Sequence, residues 1–117
     1  MNALFIGWGA VVRGREKKAL QVFQESIEYY GRLQQEGRIE RFDVSLLSPH
    51  GGDLNGFVVL HGDRQALNVI RSGDEFERLL VRAASIVDSV GVVPAYTGEA
   101  LGKQIELFQA AADEFGG

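Results

Sequence analysis

Two histidines and a handful of polar-tipped aromatics are the side chains in this sequence whose types could do chemistry. His61 ends the apolar run Gly56-Phe57-Val58-Val59-Leu60-His61, so in a strand it shares a face with Phe57 and Val59. An imidazole placed there could act as an acid–base group or orient a ligand if that face lines a pocket. The plainer assignment is a strand-end residue bonded to neighbouring backbone. Trp8 and Tyr96 fall in the first and last apolar stretches, which the topology below makes neighbours. Aromatic walls with few donors are what small-molecule sites are built from, although such rings serve equally as core or as an interface between chains.

Two further constellations are weaker. Arg13-Gly14-Arg15-Glu16-Lys17-Lys18 opens a helical stretch, where cations oppose the helix dipole. Arg13 and Arg15, with the free N–H groups at Gly14, would suit a phosphate or carboxylate. Compensation by Glu16, or a solvated face, is the alternative. Pro49-His50-Gly51-Gly52-Asp53 places a histidine and an aspartate on a glycine turn. No third ligand lies at metal spacing, so the segment reads as a turn that Asp53 helps cap, with His50 solvated and no metal site. With no cysteine in the chain, thiolate sites and disulfides are excluded. No nucleophile elbow, phosphate loop or dinucleotide fingerprint is present. Asn55 to His61 echoes an RNA-binding strand only faintly and lacks its later stacking aromatics.

The elements that must position these residues follow from periodicity. Residues 3–12 are apolar on both alternating faces, with Leu4, Ile6, Trp8 and Ala10 on one and Phe5 and Val11 on the other, which describes a central strand. Gly7 and Gly9 flank Trp8 and mark close approach of another segment. From Arg15 to Glu36, Leu20, Phe23, Ile27 and Tyr30 recur at helical spacing, and Gly37 supplies the stop. Gly31 inside this helix predicts a tight packing contact. Residues 38–48 alternate, with Phe42, Val44 and Leu46 on one face, and pair with 54–61 as a hairpin. Asp63 caps a helix over 64–70, and Ser72-Gly73-Asp74-Glu75 predicts a capping box opening another with Phe76, Leu79, Leu80 and Ala83 inward. A strand within 86–96 carries Pro94, which confines it to a sheet edge. Leu101, Ile105, Phe108, Ala112 and Phe115 stripe a C-terminal helix.

The order is βαββαβ plus a helix. The ferredoxin-like arrangement, with strands 1 and 3 central and 2 and 4 at the edges, satisfies both the two-sided first strand and the proline. The 117 residues make one α+β domain over 1–117. A net charge of −4 opposes general nucleic-acid binding. The apolar runs are far too short for a membrane span, and the start lacks a signal-peptide pattern, so a cytoplasmic protein is expected.

The chain resembles the dimeric α+β barrel superfamily in the split second helix at Ser72–Phe76, the Gly37-Arg38-Ile39 exit from the first helix, and the apolar fourth strand followed by a C-terminal helix. The resemblance implies two ferredoxin-like sheets packed face to face. It spans small monooxygenases of the antibiotic-biosynthesis type, YciI-like proteins, haem-handling proteins and dehydratases. The YciI-like pairing of a helix-1 histidine with an aspartate does not transfer, because Tyr29 and Tyr30 occupy that helix. A homodimer also follows from physics, since one helix layer leaves a second apolar sheet face open. The C-terminal helix could cover that face instead. Because no titratable pair stands at catalytic spacing, a non-catalytic binding or regulatory dimer ranks first. A cofactor-free enzyme, monooxygenase- or isomerase-like, ranks second; its small-molecule pocket would lie between sheet and helices, with His61 as the acid–base group and Trp8 and Tyr96 as walls. No cofactor is called for.

Overall fold

The computed structural model describes residues 1–116. Its elements run β1 (Ala3–Trp8), α1 (Glu16–Gln35), β2 (Arg41–Leu46), β3 (Gly56–His61), α2 (Arg64–Arg71), α3 (Asp74–Ala84), β4 (Gly91–Ala95) and α4 (Gly98–Glu114). The strands form one antiparallel sheet in the order β2-β3-β1-β4. Pro94 sits opposite Leu4 in edge strand β4, where a missing N–H leaves no ladder partner unsatisfied. The expected ferredoxin-like topology is therefore the one observed.

Alternation sorts the sheet into two faces. Leu4, Ile6, Val58 and Leu60 point to the helices and pack with Tyr30 and Leu33 of α1, Leu67 and Ile70 of α2, and Phe76 of α3. Phe5, Phe57, Val59 and Val93 lie on the back. There the Phe5 and Phe57 rings stack with centroids 5.3 Å apart. Gly7 is required beneath them, because a Cβ there would stand 2.7 Å from the Phe5 ring. Gly9 is needed for another reason. The chain leaving β1 is bonded on both sides, Gly9 N–H to Asp88 O at 2.7 Å and Asn55 N–H to Trp8 O at 2.8 Å. A Cβ at Gly9 would meet the Asp88 carbonyl oxygen at 2.9 Å.

Local signals set the helix limits. Gly37 at φ +73° ends α1, and its N–H bonds the Gln34 carbonyl at 3.0 Å. The Asp63 carboxylate accepts from Ala66 N–H at 2.8 Å and starts α2. Three expectations need correction. The capping box does not form: Gly73 is the N-cap of α3, Ser72 still belongs to the end of α2 and donates its hydroxyl to Asn68 O at 2.8 Å, and Glu75 pairs with Arg32 at 2.6 Å. Gly31 has open space where a Cβ would stand, so no close packing explains it. Leu20 is 59% exposed, because the buried stripe of α1 is Ala19, Val22, Tyr29, Tyr30 and Leu33, rotated from the stripe read by spacing.

The C-terminal helix does not cover the back of the sheet. None of the residues of α4 is buried. Among the described residues no helix is long and apolar enough to cross a membrane.

Candidate functional site

A cavity of about 350 Å³ lies between α1, α3 and the helix-side face of the sheet. Trp8, the last residue of β1, forms one wall. Its indole lies over Gly56, where an added Cβ would come within 2.6 Å of Trp8 Cζ2. The ring meets Phe23 edge-on, with centroids 6.2 Å apart. Phe23, Ile27 and Tyr30 of α1, Leu79, Leu80 and Ala83 of α3, and Ile86, Val87 and Val90 beyond it complete an almost wholly apolar lining. Leu20, Phe23, Ile27 and Tyr30 all border this hollow, Tyr30 also belonging to the packed core and Leu20 standing at the exposed rim.

Three polar links join α1 and its start to α3 and its end. Arg82 bonds Glu25 at 2.7 Å and Arg32 bonds Glu75 at 2.6 Å, each joining α1 to α3. Both pairs are exposed, so each adds little stability. The Gln21 amide, and then Arg82, keep the Glu25 carboxyl below its ordinary range. Arg15 donates to the Ser85 carbonyl at the end of α3, a favourable place for a cation beside a helix C-terminus.

The polar groups lining the cavity are few and mostly committed. The Glu16 carboxylate accepts from Gly14 N–H at 3.2 Å, and its own backbone N–H together with that of Gly14 holds it below the usual carboxylate range. The Ser26 hydroxyl donates to Val22 O at 2.7 Å. Burial pushes the Tyr30 phenol well above its ordinary value, so it stays protonated. Tyr30 is 3% exposed, and its ring packs against Tyr29 and Phe42.

The sequence-derived candidates do not converge. Trp8 lines the cavity; His61 and Tyr96 do not. Trp8 pairs with Gly56 at one end of β3 and His61 pairs with Ala3 at the other. Five residues of strand, about 17 Å, and the thickness of the sheet separate them. His61 lies on the back face, 8% exposed, and its Nε2 bonds Asp43 Oδ2 at 2.9 Å. Arg41 Nη2 stands 4.0 Å from the same carboxylate oxygen. The partner of His61 is therefore a carboxylate and not backbone. Tyr96 follows β4 and is partly exposed. Arg13 is exposed, Arg15 is bonded to Ser85, and the Gly14 N–H that was to receive an anion is occupied by Glu16. His50 is exposed but not free: its Nε2 bonds Leu54 O at 2.7 Å and its Nδ1 accepts from Gly52 N–H at 3.3 Å, which orders the turn. No cluster of metal-ligating side chains occurs among the described residues.

Sequence reading missed Asp43 as the partner of His61. The signal was available in the hairpin register, where Asp43 opposes Val59 and Arg41 opposes His61, putting Asp43 diagonal to His61 on one face.

No family model and no curated protein matches the sequence. Solved structures do. A dimeric protein of unknown function with a ferredoxin-like fold from Bacteroides fragilis superposes with a TM-score of 0.56 at 15% identity, covering 78% of this chain and 91% of that one. A variant of SnoaB, a cofactor-independent oxygenase from Streptomyces nogalater, gives 0.55 at 13% identity over 84% of this chain and 97% of that one. An antibiotic biosynthesis monooxygenase gives 0.50 at 18% identity over 81% and 99%. At such identities the likeness is one of fold, and the chain has the ferredoxin-like α+β fold that the dimeric α+β barrel proteins share.

Proposed function

We propose that this protein binds a small, neutral, largely apolar molecule in the cavity between α1, α3 and the sheet, and that it does so as a homodimer. The observation that carries this reading is the character of the lining. A hollow of about 350 Å³ walled by Trp8, Phe23, Leu79 and Leu80 is of ligand size and gains chiefly by burying apolar surface. Its one carboxylate is bonded to backbone and Tyr30 stays protonated, so the site offers apolar walls and a few donors rather than a general base. That favours binding over catalysis.

The dimer rests on the back of the sheet. Val93 is 52% exposed there, beside Phe5, Phe57 and Val59, which are only half-buried. Stacking this face on its copy would remove a contiguous apolar surface from water. The dimeric neighbour from Bacteroides fragilis has the same fold.

A cofactor-free enzyme is the second reading, and one observation favours it. His61 and Asp43 form a histidine–carboxylate pair at 2.9 Å, the arrangement that orients an imidazole for proton transfer. The pair lies on the opposite side of the sheet from the cavity, so it would need a substrate of its own at the back face.

The test is calorimetric titration with a neutral naphthylamine probe, repeated on Ala83→Phe, which fills the hollow. The binding reading expects one probe per protomer and at least a tenfold loss of affinity in the variant, with the circular dichroism unchanged. Equal binding by the filled variant would refute it.

A further inference from the structure

We propose, resting on the binding reading above, that the molecule taken up by the hollow carries a carbonyl oxygen to which the Tyr30 hydroxyl donates a hydrogen bond. Tyr30 is only 3% exposed, yet among the described residues its hydroxyl has no hydrogen-bond partner. Phenylalanine would pack against Tyr29 and Phe42 in the same place without leaving a hydroxyl unmet. A polar group buried without a partner lowers stability, so packing alone does not account for the oxygen.

That oxygen is not sealed in. Among the described residues no fully enclosed side-chain nitrogen or oxygen lacks a partner, so the partnerless Tyr30 oxygen touches open space. The open space that Tyr30 borders is the hollow. Long side chains on a helix lean toward its N-terminus, over the residues three and four positions back. For Tyr30 those residues are Ile27 and Ser26, and both line the hollow.

The other polar groups of the lining decide what the hydroxyl meets. Ser26 spends its O–H on Val22 O at 2.7 Å, and Glu16, at the exposed edge, accepts from Gly14 N–H. The Trp8 indole N–H, which can only donate, also has no partner among the described residues. Burial keeps the Tyr30 phenol protonated, so it too has a hydrogen to give. Free donors among apolar walls are matched by a ligand that brings an acceptor and no donor of its own, since an added O–H or N–H would itself go unpaired. A ketone or ester oxygen meets that requirement. A carboxylate does not, because no lysine or arginine lines the hollow to pair with it.

Benzophenone and diphenylmethane have nearly the same shape and differ in the carbonyl. Calorimetric titration of both into the parent, Tyr30→Phe and Tyr29→Phe gives the preference for the ketone as a ratio of dissociation constants, which cancels a general effect of a variant on the hollow. Tyr29 is the matched control: it is 4% exposed but does not border the hollow. Tyr30→Phe should lower the preference about three- to tenfold, the worth of one hydrogen bond, with diphenylmethane bound as before. Tyr29→Phe should leave the ratio alone. The infrared carbonyl stretch of isotope-labelled benzophenone should lie lower on the parent than on Tyr30→Phe, and lower than in hexane. A ratio untouched by Tyr30→Phe would overturn the proposal while leaving the hollow a binding site, and so would a parent-bound carbonyl band at its hexane position. Failure of the parent to take up either molecule would overturn the binding reading and this proposal with it.

Discussion

Gly56→Ala should lower stability and displace the wall of the cavity, although alanine is the better strand residue. A Cβ at this position would stand 2.6 Å from Trp8 Cζ2, 2.9 Å from Trp8 Cε2 and 2.9 Å from Ser45 O. Favourable carbon contacts lie at about 3.5–4.0 Å, so the overlap is about 1 Å. The Ser45 carbonyl belongs to the β2 backbone and cannot retreat without disturbing strand pairing. The indole must therefore move, and it is braced against Phe23. Overpacking of this kind costs about 1–3 kcal/mol, and relief of glycine's chain entropy returns about 0.5–1 kcal/mol. The net expectation is a loss of about 1–2 kcal/mol, or about 5–10 °C in melting temperature for a domain of this size. Urea unfolding followed by the emission of Trp8, the sole tryptophan, reads both consequences at once. Gly91→Ala, in a strand position where nothing lies within 4 Å of the added carbon, is the control and should lose nothing. A Gly56→Ala protein with parental midpoint and parental emission would refute the claim that glycine is there to admit the indole.

Other expectations are simpler. Gly31→Ala, in a helix interior with open space at the new Cβ, should stabilise by up to about 1 kcal/mol, read from the urea midpoint. Asp63→Ala removes the acceptor of the Ala66 N–H and should cost about 1 kcal/mol. Tyr30 gives a pH dependence. Because burial raises its folded-state value, the folded chain keeps a proton that the unfolded chain releases near pH 10. Its contribution is full below that point and falls as pH rises further, by up to about 1.4 kcal/mol per pH unit. Tyr30→Phe should flatten this alkaline decline, and an ultraviolet titration in which all three tyrosines ionise together near pH 10 would contradict it.

The fold was legible because its strongest signals were each unambiguous. Two-sided apolarity put β1 in the centre, Pro94 put β4 at the edge, and Asp63 and Gly37 marked helix ends through bonds that exist in the structure. The capping box was misread because Ser72 serves the helix behind it, a choice that depends on where α2 stops and not on the four residues themselves. The site was only half legible. Trp8 was expected beside a hollow and does border one, but alternation alone does not say which face of a sheet the helices cover, so His61, expected between sheet and helices, lies on the back face instead. Leu20, Phe23, Ile27 and Tyr30 were read only as the apolar side of a helix. That it borders a hollow depends on how α3 sits against α1, where the polar contacts are Arg82–Glu25, Arg32–Glu75 and Arg15 to Ser85. Contacts at sequence separations of 43 to 70 leave no local trace.

The most direct test asks which face of the sheet receives a ligand. Methyl resonances of Leu79, Leu80 and Val87 report the hollow under the helices, and those of Val59 and Val93 report the back. Titration with the neutral naphthylamine probe should shift the first set, with little change in the second. Shifts centred on Val59, beside His61 and Asp43, with the Leu79 and Val87 methyls unmoved, would contradict the account and move the site to the other side of the sheet.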